Sequence, residues 1–187
     1  MMAGIYSSFG FCRATFIAHI AAHVQDLGFS LTNGANVLAV LTGSSIIGRI
    51  GMGRVADMIG NRAAFMVSFA VTTIILTHGL VAQGLWELYL FGIVFGFAWG
   101  AQAVLRFAIT SEVFGLVSLG LVMGVLGFAE YGTAAFGAYV AGYVFDVVRT
   151  YRPVFLMGMG VSGMGIIFAW LLKPAMRKDV GVNVPSQ

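Results

Sequence analysis

Six stretches of this chain are each long enough and apolar enough to cross a lipid bilayer as a helix. They run over residues 4–23, 35–56, 63–83, 85–109, 117–140 and 154–172. A hydrocarbon core of about 30 Å needs about 20 helical residues, which each run supplies. The runs are continuous rather than alternating and far too long for barrel strands, so a helical membrane protein is predicted. Turn residues separate them. Gly28, Ser30, Asn33 and Gly34 lie after the first run, and Gly60-Asn61 makes a tight turn after the second. Gly84, then 111–115 and 146–153, serve as the remaining connectors. Pro153 suits the first turn of a helix, where its missing N–H costs nothing.

Composition agrees. Of the 187 residues 59% are hydrophobic and 9% charged, against about 25% charged in an ordinary soluble domain. Too few charges exist to cover a water-facing surface, so the solvent is lipid. The 26 glycines suit close helix packing in that solvent. The net charge of +3 lies mostly at the ends of apolar runs, where it sets topology, so no nucleic-acid partner is expected. Cys12 is the only cysteine and has no metal-ligand cluster around it. The first run is long and lacks a small-residue cleavage pattern, so no cleavable signal is expected. There is no phosphate-binding loop and no nucleophile–base set within the runs; neither a cofactor nor an enzymatic activity is expected.

Orientation follows from lysine and arginine. With a cytoplasmic N-terminus, Arg54, Arg62, Lys173, Arg177 and Lys178 fall on the inner side, and only Arg149 and Arg152 on the outer. The positive-inside rule therefore predicts both termini in the cytoplasm. Residues 1–173 are read as one transmembrane unit and 174–187 as a polar, disordered cytoplasmic tail.

The densest charged segment between apolar runs is Gly48 to Arg62. Its pattern Gly53-Arg54-x-Ala56-Asp57-x-x-Gly60-x-Arg62 resembles the signature loop of the major facilitator superfamily of secondary transporters, departing at Met58 and Asn61 where that family has basic residues. Further stretches are similar to its monocarboxylate-porter and oxalate/formate-antiporter branches. His19-x-x-x-His23-x-x-Asp26-Leu27-Gly28 looks like the outer end of their seventh span. Phe95-Gly96-Phe97 with Gly100, ending at Glu112-Val113-Phe114-Gly115, looks like the tenth. Ala141-Gly142-Tyr143-x-Phe145-Asp146 followed by Tyr151 and Phe155 looks like the end of the eleventh and the start of the twelfth. The resemblance implies the C-terminal six-helix half of such a transporter, all-α, with an N-terminal half or a second copy as partner. Phe9-Gly10-Phe11 recurring as Phe95-Gly96-Phe97 fits the three-plus-three repeat of transporter halves.

Charges inside spans are the candidates for function, because each costs about 2.5–3.5 kcal/mol at the bilayer centre on insertion scales. Arg13 lies mid-run and offers paired donors to a substrate carboxylate, or a structural ion pair to another helix. Arg49 lies one turn before Gly53; the resemblance implies that it binds the anionic substrate. The acidic residue that the family places one turn earlier is Ser45 here, which cannot carry a proton. Glu130 is a proton carrier or a static partner of Arg13. Arg106 and Glu112, six apart, do not share a helix face and are expected to pair with other helices. With Gly53, Arg54, Asp57, Gly60 and Arg62 they form an inner gate or a surface network. His19 and His23 share a face, yet two ligands make no metal site.

The expected function is secondary transport of a small, monocarboxylate-like organic anion across the cell membrane by alternating access. The alternative is a truncated or non-transporting membrane subunit that needs a partner half.

Overall fold

A computed structural model describes residues 1–172. The tail expected over 174–187, and Lys173, Arg177 and Lys178, lie outside the described residues. Each apolar run is a helix: α1 Met2–Asp26, α2 Leu31–Ile59, α3 Asn61–Gly79, α4 Leu85–Phe114, α5 Leu119–Val148 and α6 Arg152–Leu171. No strand occurs among the described residues. In lipid a helix satisfies every backbone group within its own segment.

The helices outrun the apolar stretches. α4 continues through Ser111 to Phe114, inside the connector expected at 111–115, and α5 runs past residue 140 to Val148, into the connector expected at 146–153. Polar side chains at a span's end reach the headgroup region while the backbone keeps its helical bonds, so charge composition does not end the helix there. Backbone geometry does: Gly115 turns the chain with φ +75°. α3 instead stops early, at Gly79. The Glu87 carboxylate accepts from the Gln83 and Gly84 N–H groups at 2.7 and 2.8 Å and fixes these residues as the entry to α4. Gly60, φ +86°, joins α2 to α3 with no further linker. Ser30 caps α2, its Oγ accepting from the Asn33 N–H at 3.2 Å.

Helices α2 to α6 are long and apolar enough to cross a membrane. α1, which carries Arg13, His19, His23, Gln25 and Asp26, is the exception. It lies at the centre instead, packed against α2, α4, α5 and α6, with a buried face from Met2 to Val24.

The packing repeats itself. α1 lies along α5, and α4 lies along α2. Exchanging α1–α3 with α4–α6 turns each of these pairs into the other. α3 also packs on α4 as α6 packs on α1, and α3 meets α6. The glycine of each Phe-Gly-Phe segment marks the crossing. A Cβ on Gly10 would strike the Glu130 backbone, and one on Gly96 the Leu41 carbonyl. Gly92 and Gly100 meet α2 in the same way, at Val37 and Ser45. Both pairs run parallel: Gly92, Gly96 and Gly100 meet Val37, Leu41 and Ser45 in turn, and Gly137 and Gly142 meet Thr15 and His19. Gly120 and Gly124, four apart on α5, face open space instead.

Two apolar clusters fill the interior. One holds Tyr6, Phe9, Met52, Phe65, Phe69 and Leu105. The other is built around Phe16, Phe91, Phe95 and Phe155, with ring centroids 5.1 to 6.0 Å apart where they meet. Polar bonds join α3 to its neighbours: Gln102 of α4 donates to Thr72 at 2.9 Å, and Thr73 to Ser162 of α6 at 3.0 Å. Such bonds contribute about 0.6 kcal/mol each in a membrane protein.

Candidate functional site

Three of the charges singled out in the sequence meet beside Tyr6 and Phe9 of the first apolar cluster. Glu130 on α5 is buried, with its side chain 3% exposed. Its Oε1 faces Arg13 Nη2 of α1 at 3.7 Å, and its Oε2 is bonded by Arg106 Nη1 of α4. The carboxylate can enter because Gly10 has no side chain where α1 crosses α5. Arg106, placed by the sequence with the gate, thus belongs with Arg13 and Glu130.

The two guanidiniums differ in how firmly they are held. Arg106 is 16% exposed and lies near the Phe9, Phe107 and Tyr6 rings, at 4.8, 5.1 and 5.7 Å from their centroids. Its backbone carbonyl accepts from the Tyr6 hydroxyl at 3.2 Å and from Thr110 Oγ1 at 2.7 Å. Arg13 is 25% exposed and lies near Phe9 and Tyr131, at 5.9 and 5.8 Å. Phe9 therefore serves both cations. Sequence reasoning passed over Tyr6, Phe9 and Thr110. A tyrosine hydroxyl in an apolar run must find a partner when buried, and that was the available signal for Tyr6.

Arg49 is not part of this cluster. It is exposed on α2 beside Ile50 and makes no ion pair among the described residues. Ser45, one turn earlier, is buried where α2 crosses Gly100, and its hydroxyl donates to the Thr42 carbonyl at 2.6 Å. These two side chains do not share one open face.

The remaining motif residues sit at the end marked by Gly60. Arg54 and Asp57 are exposed and unpaired among the described residues, and Gly53 has open space beside it. Arg62 reaches α6 instead: its Nε donates to the Ala169 carbonyl at 3.1 Å and its Nη2 to that of Trp170. A cation there complements the negative end of the helix. Glu112 is exposed and lines a groove with Asn61, Arg62 and Trp170, without an ion pair to them.

At the opposite end His19 joins three segments. Its Nε2 donates to the Ala138 carbonyl at 3.0 Å, which leaves Nδ1 to accept from the Tyr151 hydroxyl at 3.4 Å. The imidazole ring packs beside Gly142, where an added Cβ would lie in ordinary contact at 3.5 Å. His23 stands edge-on to the Tyr151 ring at 5.3 Å. Burial pushes the Tyr151 hydroxyl above its ordinary value, and Asp26 and Asp146 add to that. Both ring nitrogens of His19 are thus occupied by protein partners. No group of three histidine, cysteine or acidic side chains gathers as a metal site among the described residues.

The profile of the Major Facilitator Superfamily matches residues 2–187. The chain belongs to the major facilitator superfamily. That places it among transporters rather than enzymes, as a multi-pass membrane protein. It is 28% identical over 153 residues to monocarboxylate transporter 13 of Rattus norvegicus, covering 80% of this chain and 36% of the relative. Against monocarboxylate transporter 13 of Bos taurus it is 27% identical over 153 residues, with the same coverage of 80% and 36%. Monocarboxylate transporter 4 of Gallus gallus is 26% identical over 155 residues, covering 80% of this chain and 33% of the relative. The chain thus spans about a third of the length of the curated relatives it matches.

Proposed function

We propose that this chain is the C-terminal half of a secondary transporter for small, monocarboxylate-like organic anions. The observation that carries the reading is the convergence of Arg13 and Arg106 on one buried carboxylate, Glu130, inside helices of membrane-spanning length. Buried charges persist in spans when they serve a pathway or a site. A guanidinium that is partly exposed and loosely paired, as Arg13 is, has donors left for a substrate carboxylate.

The remainder of the site lies on other helices. Arg49 offers a second cation from the open face of α2, and the Gly53–Arg62 turn with Glu112 closes the cytoplasmic end in one of two states. The open faces of α2 and α5 pack against an N-terminal six-helix half, or a second copy, across a midplane cavity. Rocking of the halves gives alternating access in the cell membrane, with both termini cytoplasmic.

The test is reconstitution of the chain alone and with a matching N-terminal half, followed by uptake of labelled lactate, pyruvate, formate and oxalate. Uptake that requires both halves is expected. Uptake by neither preparation would sink the transport reading.

A further inference from the structure

We infer that Glu130 determines the valence of the anion this site accepts. The inference rests on the transport reading above and adds the residue that sets its selectivity.

The reasoning is a count of charge. Arg13 and Arg106 bring two positive charges, and Glu130 brings one negative. No other acid pairs with either arginine among the described residues, so the cluster carries one unbalanced positive charge. The buried rings of Tyr6 and Phe9 lie against the guanidiniums and Glu130 itself is buried, which lowers the local dielectric and makes that charge weigh heavily. One monoanion brings the site to neutrality. A dianion leaves a net negative charge among aromatic rings, which costs more than either neutral arrangement.

The geometry also says how the charge is offered. Each carboxylate oxygen of Glu130 is taken by one guanidinium. The Arg106 pair is tight and lies deeper, while the Arg13 pair, at 3.7 Å, is loose and more exposed. Glu130 therefore acts as the standing counter-ion of Arg106, and Arg13 turns towards the substrate. The Nε groups of both arginines are buried and have no hydrogen-bond partner. Removing the charge of Glu130 leaves two positive charges at the same place, which a dianion neutralises and a monoanion does not.

Equilibrium binding of labelled lactate and labelled oxalate to the reconstituted protein, near neutral pH, tests this. Wild type is expected to hold lactate more tightly than oxalate. Glu130→Gln reverses the order, oxalate gaining at least about tenfold. Glu130→Asp keeps the lactate preference, and the Arg106→Gln/Glu130→Gln pair, again with one net positive charge, restores it. A wild type that binds lactate while Glu130→Gln still prefers lactate overturns the inference and leaves the transport reading standing. If Glu130→Gln does not fold, the double variant decides: lactate preference supports the charge count, and loss of all anion binding overturns it. A wild type that binds neither anion sinks the transport reading. In that case oxalate binding gained by Glu130→Gln still upholds the valence rule, and no gain overturns it as well.

Discussion

Arg13 and Arg49 stand in opposite situations, and substitution separates their roles. Arg13 lies against Glu130, whereas Arg49 is exposed and unpaired among the described residues. If both bind the anion, Arg13→Gln and Arg49→Gln each lower uptake by at least about tenfold, the scale of one lost charge-assisted bond. Membrane insertion stays intact in both, checked by protease protection. Unchanged substrate affinity in Arg49→Gln would remove Arg49 from the site. Tyr6→Phe tests the positioning of Arg106. It deletes the hydroxyl bonded to Thr110 at 2.8 Å and to the Arg106 carbonyl, while keeping the ring. The expected cost is about 1 kcal/mol in thermal unfolding, with a larger loss in uptake than that cost explains. A purely structural Tyr6 would move the melting temperature alone.

At the scale of the helix, glycine decides which pairs approach. Gly96 and Gly100 bring α4 onto the backbone of α2 at Leu41 and Ser45, where no Cβ fits. Gly100→Val forces the helices apart and costs about 1–3 kcal/mol, read as a lower melting temperature in detergent. Gly124→Ala on α5 meets no atom within 4 Å and is expected to be neutral or slightly stabilising in the chain alone. Arg149 ends α5 in the left-handed region at φ 55°, a conformation that suits glycine. Arg149→Gly relieves a strain of about 1 kcal/mol, offset in part by a freer unfolded chain, so a small rise in melting temperature is the expected outcome.

For the whole molecule, the decisive feature is an unequal distribution of burial. α5 buries only Leu126, Glu130, Ala134, Gly137 and Ala141, the stripe that lies on α1. Phe128, Tyr131, Phe136, Tyr139 and Tyr143 are exposed on the same helix. α2 likewise leaves Ile46, Ile47, Arg49 and Ile50 open. If these faces meet an N-terminal half, cysteines placed at positions 46 and 136 lose reactivity towards a maleimide when that half is co-expressed. Equal labelling with and without it would count against a paired-half assembly. Cysteines at positions 61 and 150 read the topology, the first labelled only from the cytoplasmic side and the second only from outside.

Helix number and family were legible in the sequence because they depend on local properties. Apolar length against bilayer thickness predicts a span, and Gly53, Arg54, Asp57, Gly60 and Arg62 carry their spacing in the order of the chain. Helix ends were less legible: α4 and α5 continue past their apolar runs because backbone geometry at Gly115 and Arg149, rather than polarity, stops them. The charge cluster belonged to the tertiary structure. Arg13, Arg106 and Glu130 lie on three helices far apart in sequence, and nothing in their spacing says that Arg106 turns to Glu130 rather than to the Gly60 end. Packing decided it. Gly10 lets α5 approach α1 until Glu130 lies beside Arg13, and the bond from Tyr6 to the Arg106 carbonyl ties α4 to the same layer. In a solvent without water, each buried charge settles on whatever opposite charge the packing brings within reach.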